Sequence, residues 1–237
     1  MKIKELTFKI LKHLSLLLVL ISIISCQNSE NKPNGNKSQS IGPKNGALLI
    51  GGGGITDEIW HVFYDLAGGE SAKLVIIPTA FDESSINYDP EFKILKRQFT
   101  ARGFDDIRLM HTRDTLVANS DDFVQPLKTA TAVWLTGGRQ WRTADAYLNT
   151  KTHFELKNVL KRGGIIGGHS AGASIQGSYL VRGGRNLNGN YSIISNPEIG
   201  FGLVTNTAFD QHHLDRNRHY DMFDLLKNQT RTVRCWY

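Results

Sequence analysis

Short apolar runs alternate along the chain with amphipathic stretches, and most of the apolar runs stop at glycine. The run at 46–50 ends in Gly51-Gly52-Gly53-Gly54 and is followed by helical spacing over Asp57–Ala67. Lys73–Ile77 stops at Pro78-Thr79; helical spacing over Phe92–Ala101 closes at Arg102-Gly103 and leads to a third strand pattern at Asp106–Met110. Thr131–Leu135 stops at Thr136-Gly137-Gly138. Phe154–Lys161 reads as a helix closed by Gly163-Gly164, and Ile165-Ile166 runs into Gly167-Gly168-His169-Ser170. Apolar strands alternating with helices predict an α/β fold whose mostly parallel sheet is covered by helices on both faces. Ligands of such sheets sit at the carboxyl ends of the strands, which is where the glycine clusters fall.

The first residues follow a different pattern. Lys2, Lys4, Lys9 and Lys12 precede an apolar run over Leu14–Ile24 that is broken only by Ser15 and Ser22. That run is short for a membrane span and fits a secretory signal peptide over residues 1–25. Its end, Ile23-Ile24-Ser25-Cys26, resembles the lipobox of bacterial lipoproteins, which implies lipidation at Cys26 and cleavage before it. The resulting expectation is a lipid-anchored protein of the bacterial cell envelope, held by acyl chains at ~0.8 kcal/mol per buried CH₂. Residues 26–45 are almost wholly polar, with Asn, Ser, Lys, Gly and Pro, and read as a flexible tether. The folded domain is then 46–237. Cys235 would be left without a partner, so no disulfide framework is expected.

Composition adds two exclusions. Hydrophobic residues at 40% and charged residues at 21% of 237 exclude global disorder and a multi-span membrane protein. The formal charge of +6 owes half its excess to the leader, where four lysines face only Glu5. The remainder is too small for a nucleic-acid footprint, and no nucleic-acid partner is expected.

Gly168-His169-Ser170-Ala171-Gly172 matches G-x-S-x-G between a strand pattern and a helical stretch over Ala171–Leu180, the setting of a nucleophile elbow. Cβ atoms at 168 and 172 would collide with neighbouring backbone in so tight a turn. The first N–H groups of the following helix would point at a developing oxyanion. A serine nucleophile needs a base. His61, His111 and His153 are isolated, and His169 neighbours the serine, where adjacent side chains diverge. Asp210-Gln211-His212-His213 follows the apolar-rich stretch 201–209 and puts polar groups where a strand would end.

Ala47–Gly54, Pro78-Thr79-Ala80, Thr136-Gly137-Gly138-Arg139-Gln140, Gly167–Ser174 and Asp210-Gln211-His212 together resemble the cyanophycinase branch of the serine peptidases that include dipeptidase E (aspartyl dipeptidase). The resemblance covers about residues 46–227, with the motifs in family order. It implies a flavodoxin-like fold related to class I glutamine amidotransferases. It also implies hydrolysis of peptide or isopeptide bonds next to aspartate, without metal or organic cofactor. Carried onto this chain, Ser170 is the nucleophile, His212 the general base, and Gly138 with Ala171 the oxyanion hole. Gln140, Asp210, Gln211, Arg216 and Arg218 are the implied substrate-binding residues. On physical grounds alone, Arg216 and Arg218 read equally well as a solvated helix face.

Two departures matter. Where another arginine is expected, Asp221 stands close to its place. The family's triad acid has no counterpart either: Gly183–Asn188 offers no carboxylate, Glu198 is a weak substitute, and 229–237 shows no helical or strand register. The expectation is therefore a domain lacking its C-terminal elements, with a base that has no carboxylate partner. A second reading follows, a non-catalytic binding lipoprotein that keeps the pocket. A third is a metal hydrolase built on Asp210, His212, His213 and Asp215.

Overall fold

The computed structural model describes residues 42–180 and 199–218, together with the backbone of three short strands at Gly183–Arg185, Tyr191–Ile193 and Arg234–Trp236. The predicted leader, the tether as far as residue 41, Cys26, Glu198 and Asp221 lie outside the described residues.

Five parallel strands form the central sheet: β1 (Ala47–Gly51), β2 (Lys73–Ile77), β3 (Asp106–Leu109), β4 (Ala132–Leu135) and β5 (Ile165–His169), in the order β1-β5-β4-β2-β3. Period-two alternation divides their side chains between two cores. Val75, Ile77, Val133, Leu135 and Ile166 face one side, against Leu127 of α5 (Gln125–Thr129), Ala144 and Tyr147 of α6 (Gln140–Tyr147), and Leu156 and Val159 of α7 (Lys151–Lys161). Leu74, Ile76, Ala132, Trp134 and Ile165 face the other, against Phe63 of α1 (Asp57–Ala67) and Phe99 of α3 (Lys93–Thr100). The helices thus cover both faces. Trp134 is fully buried, with its ring centroid 5.0 Å from Phe63 and 4.2 Å from Trp60. Its neighbour in the β4–β5 register is Gly167, where a Cβ would run into both the Trp134 and Phe63 rings. Glycine in mid-strand is the condition for this aromatic core.

Several elements differ from the sequence pattern. Two short helices, α2 (Glu83–Tyr88) and α4 (Thr115–Ala118), are fixed by side-chain caps: Asp82 accepts from Ser85 N at 2.7 Å and Asp114 from Leu116 N at 2.8 Å. The helix after Ser170, expected to reach Leu180, is α8 (Ala171–Ser174) alone. Beyond it the backbone turns to the segment 199–207 for its partners: Phe201 N donates to Ile175 O at 2.8 Å, Leu203 N to Gln176 O at 2.9 Å, and Tyr179 N to Thr207 O at 3.1 Å. The ending expected to lack register instead carries β9 (Arg234–Trp236), paired parallel with β8 (Thr207–Phe209). Between these regions, β6 (Gly183–Arg185) and β7 (Tyr191–Ile193) form an antiparallel pair.

Candidate active site

The segments that follow β2, β4 and β8 and the carboxyl end of β5 meet at one cavity of about 820 Å³. Ser170 ends the turn between β5 and α8 at φ 53° and ψ −115°, a conformation that costs a non-glycine residue about 1–3 kcal/mol. Close packing holds it there. A Cβ at Gly168 would overlap the Gly172 carbonyl, and one at Gly172 would overlap the Leu135 carbonyl, so both positions admit only glycine. Ser170 N donates to Gly51 O at 2.9 Å, and His212 N donates to Gly52 O at 2.9 Å. The glycine run after β1 therefore anchors both chain segments to one wall.

The resulting side-chain geometry is close. His212 Nε2 lies 2.8 Å from Ser170 Oγ. Ser170 Oγ also donates to Gln211 Oε1 at 2.6 Å, and Gln211 Nε2 donates to Gln140 Oε1 at 3.4 Å. Gln140 is buried at the start of α6, so the three polar side chains form a row along the cavity floor. His212 sits at φ 55°, which turns its ring back over the serine, while Arg216 N donates to His212 O at 3.1 Å and closes the turn. On the far side of the ring, Nδ1 is 3.7 Å from Asp215 Oδ2. Burial and the Arg216 charge hold the His212 pKa below the ordinary imidazole value, and Asp215 opposes them.

Gly138 lines the cavity at φ 129°, pressed against the Ala80 carbonyl so that a Cβ would overlap it. Arg139 N donates to that same carbonyl at 2.8 Å, which fixes the loop after β4. Ala171 is buried at the start of α8. Among the described residues, no backbone carbonyl accepts from the N–H of Gly138 or Ala171.

Arg216 and Arg218 line the cavity rather than an outer helix face. Arg139 and Arg142 join them, with Asp82 as an acidic group of the same lining. The Ser85 backbone N–H and neighbouring hydroxyls lower the Asp82 carboxyl to about 2, so it is charged. Sequence reasoning missed Arg139, Arg142 and Asp82; the Arg139 position between Gly138 and Gln140 was the available signal. Asp210 does not line the cavity. Its carboxylate accepts from Gln211 N at 2.7 Å and lies 3.6 Å from His213 Nδ1, so it shapes the loop that carries His212. The four-residue metal set does not converge, because Asp210 faces His213 while Asp215 faces His212. Among the described residues, no group of three or more His, Cys, Asp or Glu is arranged to hold a metal ion.

The remaining histidines have other work. His153 Nε2 meets Phe201 O at 2.8 Å, tying α7 to the segment after α8. His111 Nδ1 meets Thr79 Oγ1 at 3.0 Å, and Thr79 in turn contacts the buried Tyr147 hydroxyl at 2.6 Å. His169 stacks on Trp134 at a centroid distance of 5.9 Å and lines the cavity beside Ser170.

Among curated proteins, the chain is 29% identical over 172 residues to a cyanophycinase of Geminocystis herdmanii, covering 72% of this chain and 62% of that protein. It is 29% identical over 180 residues to a cyanophycinase of a Nostoc species, covering 74% and 59%. The chain thus spans about three fifths of the length of these relatives. Among solved structures, a peptidase from an acI-B1 Actinobacterium superposes with a TM-score of 0.60 at 21% identity, over 84% of this chain and 80% of that one, and shares the fold. The profile of peptidase family S51 matches residues 47–234, and the chain belongs to that family.

Proposed function

We propose that the domain is a serine peptidase that cleaves peptide or isopeptide bonds next to aspartate. The observation that carries this reading is the 2.8 Å approach of His212 Nε2 to Ser170 Oγ at a strained strand-to-helix turn, inside a cavity lined by four arginines. In the proposed reaction His212 takes the Ser170 proton as Oγ attacks the scissile carbonyl carbon. The N–H groups of Gly138 and Ala171 receive the oxyanion. Collapse of the tetrahedral intermediate expels the amine, which takes its proton from His212, and water then hydrolyses the acyl-enzyme by the same route. Gln140 and Gln211 position the substrate. Arg216, Arg218, Arg139 and Arg142 favour a substrate rich in carboxylates.

The cellular setting belongs to the same reading: an exported, Cys26-lipidated protein whose domain faces the outside of a membrane. Its support is the charged and apolar leader ending in Ile23-Ile24-Ser25-Cys26. No helix among the described residues is long and apolar enough to cross a membrane. Labelled palmitate should enter the natural sequence and not Cys26→Ser; incorporation into both contradicts the lipidation.

One observation favours the second reading, a binding lipoprotein without turnover: the Ser170 hydroxyl donates to Gln211 rather than to the base. Incubation with β-aspartyl-arginine and with α-aspartyl dipeptides separates the two. Release of free amino acid by the natural protein, and none by Ser170→Ala, supports the peptidase. Binding without release supports the alternative, and equal release by Ser170→Ala contradicts both.

A further inference from the structure

His212 does not stand alone at the site. Its Nε2 is committed to Ser170, so the orientation of the ring is set by whatever faces Nδ1. That group is Asp215, with Oδ2 at 3.7 Å.

Three features of the backbone bring it there. His212 takes a positive φ of 55°, its N–H is held by Gly52 O, and its carbonyl receives Arg216 N, so the chain doubles back and sets residue 215 beside the ring. Gly53 lies directly against the pair. A Cβ on Gly53 would stand 3.0 Å from Asp215 Oδ2 and 3.8 Å from His212 Nδ1, so a larger residue would press on the carboxylate. The glycine run after β1 thus serves two ends: Gly51 and Gly52 hold the reacting segments, and Gly53 leaves room for the carboxylate.

We infer that Asp215 is the carboxylate that orients His212, a positioning residue in the reaction proposed above. It fixes the tautomer that carries its proton on Nδ1, leaving Nε2 free to accept from Ser170, and it stabilises the imidazolium that forms when the serine proton arrives. The contact at 3.7 Å is longer than a hydrogen bond, and Asp215 is 67% exposed against 16% for His212. Contacts of this kind tighten when a substrate fills the site and displaces water. Exposure also sets the scale: Asp215 contributes less than a buried triad acid, whose loss costs about 10⁴ in rate.

Several groups face His212 besides Asp215. Arg216 and Arg218 come from its own segment and His169 from the end of β5, while Arg139, Arg142 and Asp82 line the same cavity. The arginines of its own segment disfavour the imidazolium and Asp215 is the acid that opposes them, so removal of Asp215 has a defined sign.

The test titrates the His212 ring by NMR, with its signals assigned by their loss in His212→Gln, in the natural protein, Asp215→Asn and Asp215→Glu. In parallel, the rate at which a fluorophosphonate labels Ser170 is measured in the same three proteins. In Asp215→Asn the His212 midpoint moves to lower pH and labelling slows by about 10- to 100-fold, between the surface-pair and buried-triad limits. Asp215→Glu recovers the greater part of both, and thermal melting is unchanged in each variant. A His212 midpoint that is the same in Asp215→Asn and the natural protein overturns the inference, whatever the labelling shows. A shifted midpoint with no labelling of Ser170 in any protein leaves the pairing standing and overturns the peptidase reading on which its catalytic role rests.

Discussion

Ser170 and Gln211 share a hydrogen bond of 2.6 Å, in which the serine hydroxyl donates to the glutamine Oε1. A proton held by Gln211 is not available to His212. The two amides in the row settle this together: rotation of the Gln211 and Gln140 side-chain amides would offer Nε2 of Gln211 to the serine, whose hydroxyl then turns to His212 Nε2.

Gln211→Leu removes the competing acceptor while keeping a side chain of similar size. Labelling of Ser170 by a small fluorophosphonate should proceed at least as fast as in the natural protein, because that probe does not need the amide row. Hydrolysis of aspartyl peptides should fall through a raised KM. Slower labelling in Gln211→Leu would show that Gln211 supports the serine instead of restraining it.

The arginine wall has a predicted double signature. Arg216→Gln should raise KM for carboxylate-rich peptides by about tenfold or more, since a hydrogen bond to a charged group contributes about 1.5–3 kcal/mol. Arg216 also depresses the His212 pKa, so its removal lets that pKa rise and moves the acidic limb of kcat/KM to higher pH. An acidic limb that stays in place would separate Arg216 from the base.

Stability should fall on mild acidification. Burial lowers the pKa of His111, His153, His169 and His212. Below the ordinary imidazole value of about 6.5, the unfolded chain therefore binds more protons than the folded one. Stability is full above that value and is lost as pH falls toward the lowered values. Melting temperature measured from pH 7.5 to 5.5 should decline through this window; a flat profile would contradict the burial of these rings.

The glycines of the site separate into necessary and tolerant positions. Gly172→Ala drives a methyl into the Leu135 carbonyl and should cost about 1–3 kcal/mol or more by overpacking. Gly54→Ala meets no atom within 4 Å and should melt near the natural protein. Equal melting of the two variants would show that the elbow is not packed against β4.

Much of this was legible in the chain itself, because the central strands are apolar runs cut short by glycine. Lys73–Ile77 and Asp57–Ala67 fall on the residues that the pattern marks. The elbow was legible too, since Gly168-His169-Ser170-Ala171-Gly172 needs small residues for a reason that a sequence can express. What stayed hidden depends on long-range pairing. Helix α8 stops at Ser174 because Ile175 and Gln176 give their carbonyls to Phe201 and Leu203, more than two dozen positions away. Asp215 resembled a metal ligand because residue types show no φ; the positive φ at His212 is what turns it into a partner for the ring. Arg139 and Arg142 stand more than 70 positions before Arg216 and Arg218, and only the fold brings the four to one cavity.

The most direct test of the account is peptide mapping by mass spectrometry after fluorophosphonate treatment of the natural protein, Ser170→Ala and His212→Ala. The account predicts one adduct, on Ser170, in the natural protein, with none in Ser170→Ala and a rate lowered by orders of magnitude in His212→Ala. An unlabelled Ser170 in the folded natural protein, or an equal adduct in Ser170→Ala, would contradict it.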